Sequence, residues 1–254
     1  PLTPIVKAQV SVYEGLNPAI NTNPIIRICT DETWKTKPSP NKLLVKWDFK
    51  RMGGEIWDSR LEDKSWNQIQ CNESKWKPSI VYPTKLILSS QAVEYNRIFD
   101  EIKPVNIEKR EDGSYRIDMG VNFAGWTQVN VNGNPGDTIK FQYSEREQDD
   151  ITFGLHSAYV LNQSGKGTFK NRFNYSSGRW ITIKGLKKEL TAEDVKGWMV
   201  RTDFKNASAF RSSDTLQNWM YDRIKWTFEN LSLGGFIVDC PQRERMGYGG
   251  DAHA

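Results

Sequence analysis

The spacing of apolar residues changes once along this 254-residue chain, near residue 203, and that change limits the folds it can adopt. Before it, stretches such as 115–119 and 127–131 alternate apolar with polar side chains, which is typical of half-buried β-strands. After it, apolar residues recur at steps of three and four, which marks one face of an α-helix. The residues of this face are Leu216, Trp219, Met220, Ile224, Thr227, Phe228 and Leu231. We therefore predict a mainly β fold followed by one helix of about eighteen residues.

The alternating part of the chain forms two predicted domains, residues 1–95 and 96–203, and residues 204–254 form a third region. The first domain has predicted strands at 6–13, 43–47 and 80–88. The second has them at 115–119, 127–131, 138–143, 169–175, 180–183 and 195–200. Short strands separated by turn dipeptides such as Asn132-Gly133 are typical of antiparallel β-sandwiches. We predict that architecture for both domains, with the first one incomplete.

The predicted helix carries its own start and stop signals. Ser212, Ser213 and Asp214 precede it and can cap its first turn. Gly234-Gly235 follows it and is expected to end it. A single helix cannot bury its own apolar face, so the sequence predicts that further elements cover this one.

Composition excludes several classes of protein. The net charge is only +4 and the Lys residues are scattered, so nucleic acid is not a predicted partner. No apolar run reaches the ~18 residues of a membrane-spanning helix. The three cysteines, Cys29, Cys71 and Cys240, are too few for a disulfide framework. His156 and His253 stand without ligand spacing, so we predict neither a metal site nor a cofactor.

The segment 239–251 has an unusual density of charge. Three carboxylates and two guanidinium groups follow directly after the apolar run Phe236-Ile237-Val238, in a stretch rich in Gly. Such groups can be held rigid and partly desolvated, which moves carboxyl pKa values towards neutrality. The alternative is a charged surface loop between two elements, which is the common role of such runs.

The amino-acid sequence of this segment resembles the start of the catalytic domain of the bacterial α-L-rhamnosidases, glycoside hydrolase family 78. The resemblance rests on Asp-Cys-Pro-Gln-Arg, then Glu-Arg, a Gly-aromatic pair and Gly-Asp, all in order within 239–251. Further matches lie at 30–35, 118–126, 133–137, 179–181 and 210–214. The resemblance implies that a β-sandwich precedes an (α/α)₆ barrel, of which 204–254 would be the first helix and the catalytic loop. The barrel would be truncated, so we expect the chain to be an excerpt of a larger protein.

The same resemblance implies roles for five residues. Glu244 stands at the position of the general acid; Asp239 and Asp251 would raise its pKa, while Arg243 and the neighbouring Arg245 would lower it. Asp239 and Asp251 match carboxylates that accept hydrogen bonds from rhamnose, and Asp251 can also cap a helix. Arg243 matches a residue that donates to the sugar or orients the carboxylates. Tyr248 stands where relatives commonly carry Trp, and its smaller ring can still stack on rhamnose.

The function that follows is an inverting glycoside hydrolase that removes terminal α-L-rhamnose from a rhamnose-containing carbohydrate. Inverting enzymes hold two carboxyl groups about 6.5–9.5 Å apart, and the general base would lie beyond residue 254, so this stretch alone is expected to be inactive. The alternative is a carbohydrate-binding β-sandwich protein without catalysis, favoured by the ten Trp and nine Tyr residues. Specificity for another deoxy-sugar also stays open. Breakdown of such carbohydrates suggests the periplasm or the cell exterior.

Overall fold

The computed structural model describes residues 5–15, 23–44, 53–247 and 250. Contacts divide the chain into two compact units. The small unit comprises Pro1–Pro38 and Asp63–Ala92, and the large unit comprises Ser39–Glu62 and Val93–Ala254. The predicted domain boundaries at residues 95 and 203 stay predictions.

The described residues form short strands and one α-helix. The strands are β1 (Gln9–Val12), β2 (Ile26–Cys29), β3 (Lys35–Thr36), β4 (Asn41–Leu43), β5 (Glu55–Asp58), β6 (Lys77–Pro78), β7 (Asn96–Ile102), β8 (Asn106–Lys109), β9 (Tyr115–Asn132), β10 (Thr138–Ser144), β11 (His156–Val160), β12 (Lys166–Lys170), β13 (Ser176–Lys184), β14 (Val195–Thr202), β15 (Ser232–Leu233) and β16 (Phe236–Ile237). The helix is α1 (Thr215–Leu231), and short 3₁₀ turns lie at Ser59–Leu61 and Ala192–Asp194. The predicted mainly β fold is confirmed.

The small unit has two antiparallel strand pairs, β1 with β2 and β3 with β6. Strand β1 confirms the centre of the predicted strand 6–13. The predicted strand at 80–88 is wrong, because these residues form no strand and pair with no other strand. Pro83 lacks the N–H that a ladder needs, and Ile80 and Ile87 are each 93% exposed. None of the buried core residues among the described positions belongs to this unit.

The large unit is built on a curled ten-stranded sheet in the order β4-β5-β11-β10-β13-β9-β14-β7, with β8 and β12 also paired to β9. All neighbours are antiparallel except β5 and β11. The two predicted strands 115–119 and 127–131 are one continuous strand, β9, whose first half pairs with β8 and β13 and whose second half pairs with β12 and β14. Because β9 changes partners along its length, the sheet curls around its main hydrophobic core. Phe141 and Phe169 stack in it with ring centroids 4.3 Å apart.

The remaining sequence predictions for strands differ in accuracy. Those at 138–143, 180–183 and 195–200 fall within β10, β13 and β14 and are confirmed. The predicted strand 169–175 is wrong beyond residue 170, where β12 ends and a loop begins. Strand β4 overlaps the predicted strand 43–47 only at its start, and residues 45–52 lie outside the described part of the chain.

Helix α1 begins as predicted. The Asp214 carboxylate accepts hydrogen bonds from the backbone N–H groups of Leu216 and Gln217, so it is the N-cap. The helix ends at Leu231 rather than at the glycine pair. Gly234-Gly235 instead forms the turn of the β15–β16 hairpin, with φ values of 70° and 84° that favour glycine.

The helix attaches to the sheet by polar contacts. The indole N–H of Trp226 donates to the carbonyl of Asn122 (2.9 Å), and the buried side-chain oxygen of Asn230 accepts from the N–H of Ala124 (2.6 Å). Much of the predicted apolar face points away from the sheet, with exposures between 46% and 65%. These exposed residues are Leu216, Trp219, Met220, Ile224 and Phe228. No helix within the described ranges is long and apolar enough to span a membrane.

Candidate active site

The charged loop follows the β15–β16 hairpin, which fixes where it starts. The hairpin turn is bound to the sheet because the N–H of Gly234 donates to the side-chain oxygen of Asn96 (2.9 Å) and that of Gly235 to the hydroxyl of Thr202 (3.2 Å). Val238 is 2% exposed and donates its N–H to the carbonyl of Leu231 (2.8 Å). The loop therefore leaves from a buried residue next to β7 and β14.

The loop closes on itself between Asp239 and Met246. The N–H of Asp239 donates to the carbonyl of Met246 (2.9 Å), and the N–H of Met246 donates to the Asp239 carboxylate (3.0 Å). Within this ring, the N–H of Arg243 donates to the carbonyl of Cys240 (3.0 Å), which makes a turn. Glu244 lies inside the closed segment, so its backbone is held by bonds on both sides.

Asp239 is the most enclosed carboxylate of the loop, with its side chain 7% exposed. Burial raises its pKa, but hydrogen bonds from the backbone N–H groups of Cys240 and Met246 help to outweigh burial, so the pKa lies below its ordinary value. Asp239 is therefore ionised at neutral pH. Burial, followed by the Asp239 charge, raises the pKa of the Cys240 thiol, which keeps that thiol protonated.

Arg243 brings the loop's charges together. Its guanidinium group forms a bidentate pair with Glu244, through Nε to Oε2 and through Nη2 to Oε1 (2.9 Å). The same group lies 3.6 Å from the Asp239 carboxylate and 3.3 Å from the Cys240 sulfur. The structure thus unites three of the five predicted site residues, Asp239, Arg243 and Glu244. The predicted site residues Tyr248 and Asp251 lie outside the described residues.

A cleft of about 440 Å³ opens beside the loop, and its walls are mainly apolar. Among its lining residues are Trp126, Tyr175, Phe236, Val238 and Arg245. Asp239, Arg243 and Glu244, which we call the charged cluster, do not line this cleft. The cleft and the charged cluster are therefore separate surfaces of the loop.

Two family models match consecutive stretches of the chain. Residues 108–201 match the bacterial α-L-rhamnosidase concanavalin-like domain, and residues 205–254 match the bacterial α-L-rhamnosidase 6 hairpin glycosidase domain. The chain belongs to the bacterial α-L-rhamnosidases. The family resemblance predicted from the sequence is confirmed, and the second matching stretch contains the whole charged cluster.

Individual relatives agree with the family models. An α-L-rhamnosidase from Formosa agariphila is 29% identical over 242 residues, which cover 89% of this chain and 24% of that protein. The structure of an α-L-rhamnosidase from Dictyoglumus thermophilum is similar with a TM-score of 0.79 and 32% identity, over 89% of this chain and 26% of that one. A rhamnosidase structure from Aspergillus terreus gives a TM-score of 0.75 at 26% identity, over 90% and 27% of the two chains. The chain thus spans about a quarter of the length of these rhamnosidases.

The residues that bind the loop 239–247 to the large unit were not identified from the sequence. Arg245 donates to the carbonyls of Pro241 and Tyr175, each at 2.8 Å, and to the side-chain oxygen of Asn174. Its guanidinium group also stacks on the Tyr175 ring, 4.0 Å from the centroid. The only sequence signal was its place in the charged segment, because residues 174 and 175 are some seventy positions away.

A second bridge joins the loop to the sheet at Glu145, which the sequence gave no reason to select. The Gln242 amide donates to one Glu145 oxygen (3.1 Å), and the Asn122 amide donates to the other (3.3 Å). Glu229, the other carboxylate without a predicted role, lies 3.8 Å from Arg201 across α1 and the sheet. Both carboxylates therefore have structural partners in the large unit.

Proposed function

We propose that this chain contributes part of the active site of an inverting α-L-rhamnosidase, which removes terminal α-L-rhamnose from oligosaccharides, polysaccharides or glycosides. Glu244 is the proposed general acid, and the general base comes from residues outside this chain. The observation that carries the proposal is the match of residues 205–254 to the 6 hairpin glycosidase domain, since that stretch contains Asp239, Arg243 and Glu244.

The acid role requires a carboxyl group that carries a proton to the glycosidic oxygen. Asp239 and Glu244 share one site, because the Arg243 guanidinium group contacts both carboxyl groups. The pKa of Asp239 lies below its ordinary value, so Asp239 stays ionised and is not the member of the pair that would supply the proton. This division of roles between two close carboxyl groups supports the assignment of Glu244.

Arg243 supports both protonation states of Glu244. When Glu244 is ionised, the bidentate pair seen here stabilises the carboxylate that remains after proton transfer. When Glu244 takes up a proton, the guanidinium group can turn to Asp239, which is already 3.6 Å away. Asp239 and Arg243 then present a charged acceptor and a charged donor to sugar hydroxyls. Tyr248 and Asp251 complete the proposed sugar site by family resemblance.

The exposed apolar face of α1 supports the proposal of a larger catalytic domain. Five large apolar side chains, from Leu216 to Phe228, are about half exposed on the face opposite the sheet. A soluble protein rarely leaves such a stripe uncovered. We propose that it is the first helix of an (α/α)₆ barrel, whose later helices cover this stripe.

The test uses the chain produced together with whatever its gene encodes after position 254. It should hydrolyse 4-nitrophenyl α-L-rhamnopyranoside and methyl α-L-rhamnopyranoside. Glu244→Gln should reduce kcat on the methyl glycoside by about 10²–10⁴, because methanol is a poor leaving group that needs protonation. The loss on the nitrophenyl glycoside should be much smaller.

Glu111→Gln is the matched control, since Glu111 lies in an exposed turn of the large unit. It should hydrolyse both glycosides at the unsubstituted rate. Normal hydrolysis of the methyl glycoside by Glu244→Gln would refute the acid assignment.

A further inference from the structure

Arg245 is a buried cation without an acidic partner in the described part of the chain. Its three hydrogen bonds go to neutral oxygens: the carbonyls of Pro241 and Tyr175 and the side chain of Asn174. The Asn174 oxygen is itself oriented by a bond from the N–H of Tyr175 (2.9 Å). Burial lowers the pKa of the guanidinium group, although it stays charged at any physiological pH. Placing a cation here costs desolvation, which only well-aligned acceptors offset.

The backbone at Arg245 is also held in an unfavourable conformation. Its φ is +58°, in the left-handed region, and Phe153 is the only other non-glycine residue with positive φ among the described positions. Such a conformation persists where the surrounding contacts determine it. Because Arg245 directly follows Glu244, its backbone conformation affects the direction in which the Glu244 side chain projects from the loop.

The bonds around Glu244 divide into two kinds. Those between Asp239 and Met246 close the loop internally, and they do not attach it to anything else. Attachment to the sheet by side-chain hydrogen bonds, within the described residues, comes from Arg245 and from the single bond of Gln242 to Glu145. Arg245 therefore carries most of the polar attachment.

We propose that Arg245 is a positioning residue, which fixes the loop 239–247, and with it the carboxyl group of Glu244, against the sheet. Its guanidinium group lies beneath the loop and donates hydrogen bonds to Pro241, Asn174 and Tyr175, so its proposed action is exerted through the loop. A displacement of about 1 Å in a catalytic group can reduce a rate by about 10²-fold. The catalytic consequence rests on the proposed role of Glu244, whereas the attachment itself does not.

The attachment is tested on the 254-residue chain by amide hydrogen exchange. Arg245→Met keeps an unbranched apolar side chain like the stem of arginine but removes every donor, and Arg245→Lys keeps the charge and part of the bonding. Exchange at the amides of Asp239, Arg243 and Met246 should be about tenfold or more faster in Arg245→Met and intermediate in Arg245→Lys, while amides of β9 and β13 keep their protection. Arg60→Met is the matched control, because Arg60 makes an exposed pair with Asp58, and it should leave the loop unchanged. Unchanged loop protection in Arg245→Met would overturn the proposal.

The positioning role is tested in the chain produced with whatever its gene encodes after position 254. Arg245→Met should reduce kcat on methyl α-L-rhamnopyranoside by about 10²-fold with little change in KM, and reduce it much less on the nitrophenyl glycoside. Arg245→Lys should recover part of the loss. A purely structural role would reduce both rates in the same proportion, as the folded fraction falls, and would overturn the assignment. If the unsubstituted protein hydrolyses neither glycoside, the proposed function and this catalytic consequence fail together, and the exchange experiment still decides the attachment.

Discussion

Arg243 and Arg245 lie two positions apart in one loop, yet their guanidinium groups have opposite surroundings. Arg243 is about one-third exposed and faces the carboxylates of Glu244 and Asp239. Arg245 is enclosed by neutral oxygens of the sheet and of its own loop. Hydrogen bonding to Glu244 raises the pKa of Arg243, whereas burial lowers that of Arg245.

The difference teaches how one short segment can be rigid and adaptable at once. An exposed ion pair contributes little to stability, and its partners can exchange at low cost. A buried guanidinium group bonded to backbone carbonyls is costly to disturb, because breaking the contact leaves both the donors and the acceptors unpaired. The face with Arg243 is therefore suited to chemistry, and the face with Arg245 to attachment. Substitutions on the two faces should differ in magnitude.

The largest effect on stability is expected at Asn174, on the attached face. Asn174→Ala removes an oxygen that accepts from Arg245 and from the N–H of Tyr175, so it leaves a buried donor unpaired. The free energy of unfolding of the large unit should fall by about 2 kcal/mol, measured by urea unfolding. Asn174→Asp keeps an acceptor oxygen at the same place and should lose much less. Equal losses in the two variants would show that the contact with Arg245 contributes nothing.

A smaller, pH-dependent effect is expected at Asp239, on the face with Arg243. Asp239→Asn should reduce the free energy of unfolding by about 1 kcal/mol at pH 7, because it removes the charge that faces Arg243. The pKa of Asp239 is lowered in the folded state from an ordinary value of 3.8, so its carboxylate stabilises the fold above that pH. This contribution is lost as the pH falls below 3.8 and through the lower folded-state pKa. Urea unfolding from pH 7 to pH 2.5 should show the two proteins converging; a constant difference would contradict the assignment.

The sequence predicted what depends on neighbours in the chain. The alternation at 138–143 and the cap at Asp214 were correct, because strand faces and helix starts are local properties. The charged cluster was also found by its motif, since Asp239, Arg243 and Glu244 lie within six positions. Local reasoning failed at 80–88, where a suitable apolar pattern has no strand to pair with.

What the sequence could not predict depends on contacts between distant segments. The sequence predicted that further elements cover the apolar stripe of α1, but not that two hydrogen bonds, from Trp226 and to Asn230, attach its other face to β9, about a hundred positions away. The acceptors of Arg245 at 174 and 175 are equally remote in sequence. Nothing in the sequence 243–245 indicates that Arg243 faces carboxylates and that Arg245 packs against the large unit. That distinction is made by the fold.

The smallest effect is expected at Gln242, whose bond to Glu145 is the second attachment of the loop. Gln242→Ala should reduce the free energy of unfolding by about 0.5 kcal/mol, because Glu145 keeps its bond from Asn122 and the substitution also removes a side-chain oxygen that has no partner in the described structure. A double-mutant cycle with Glu145→Ala, followed by urea unfolding, isolates the coupling between the two side chains. A coupling free energy as large as the loss of unfolding free energy in Asn174→Ala would mean that the two attachments stabilise the loop equally. The contrast between the two arginines would then not describe how the loop is held, since the part-buried bridge from Gln242 would matter as much as the contacts of Arg245.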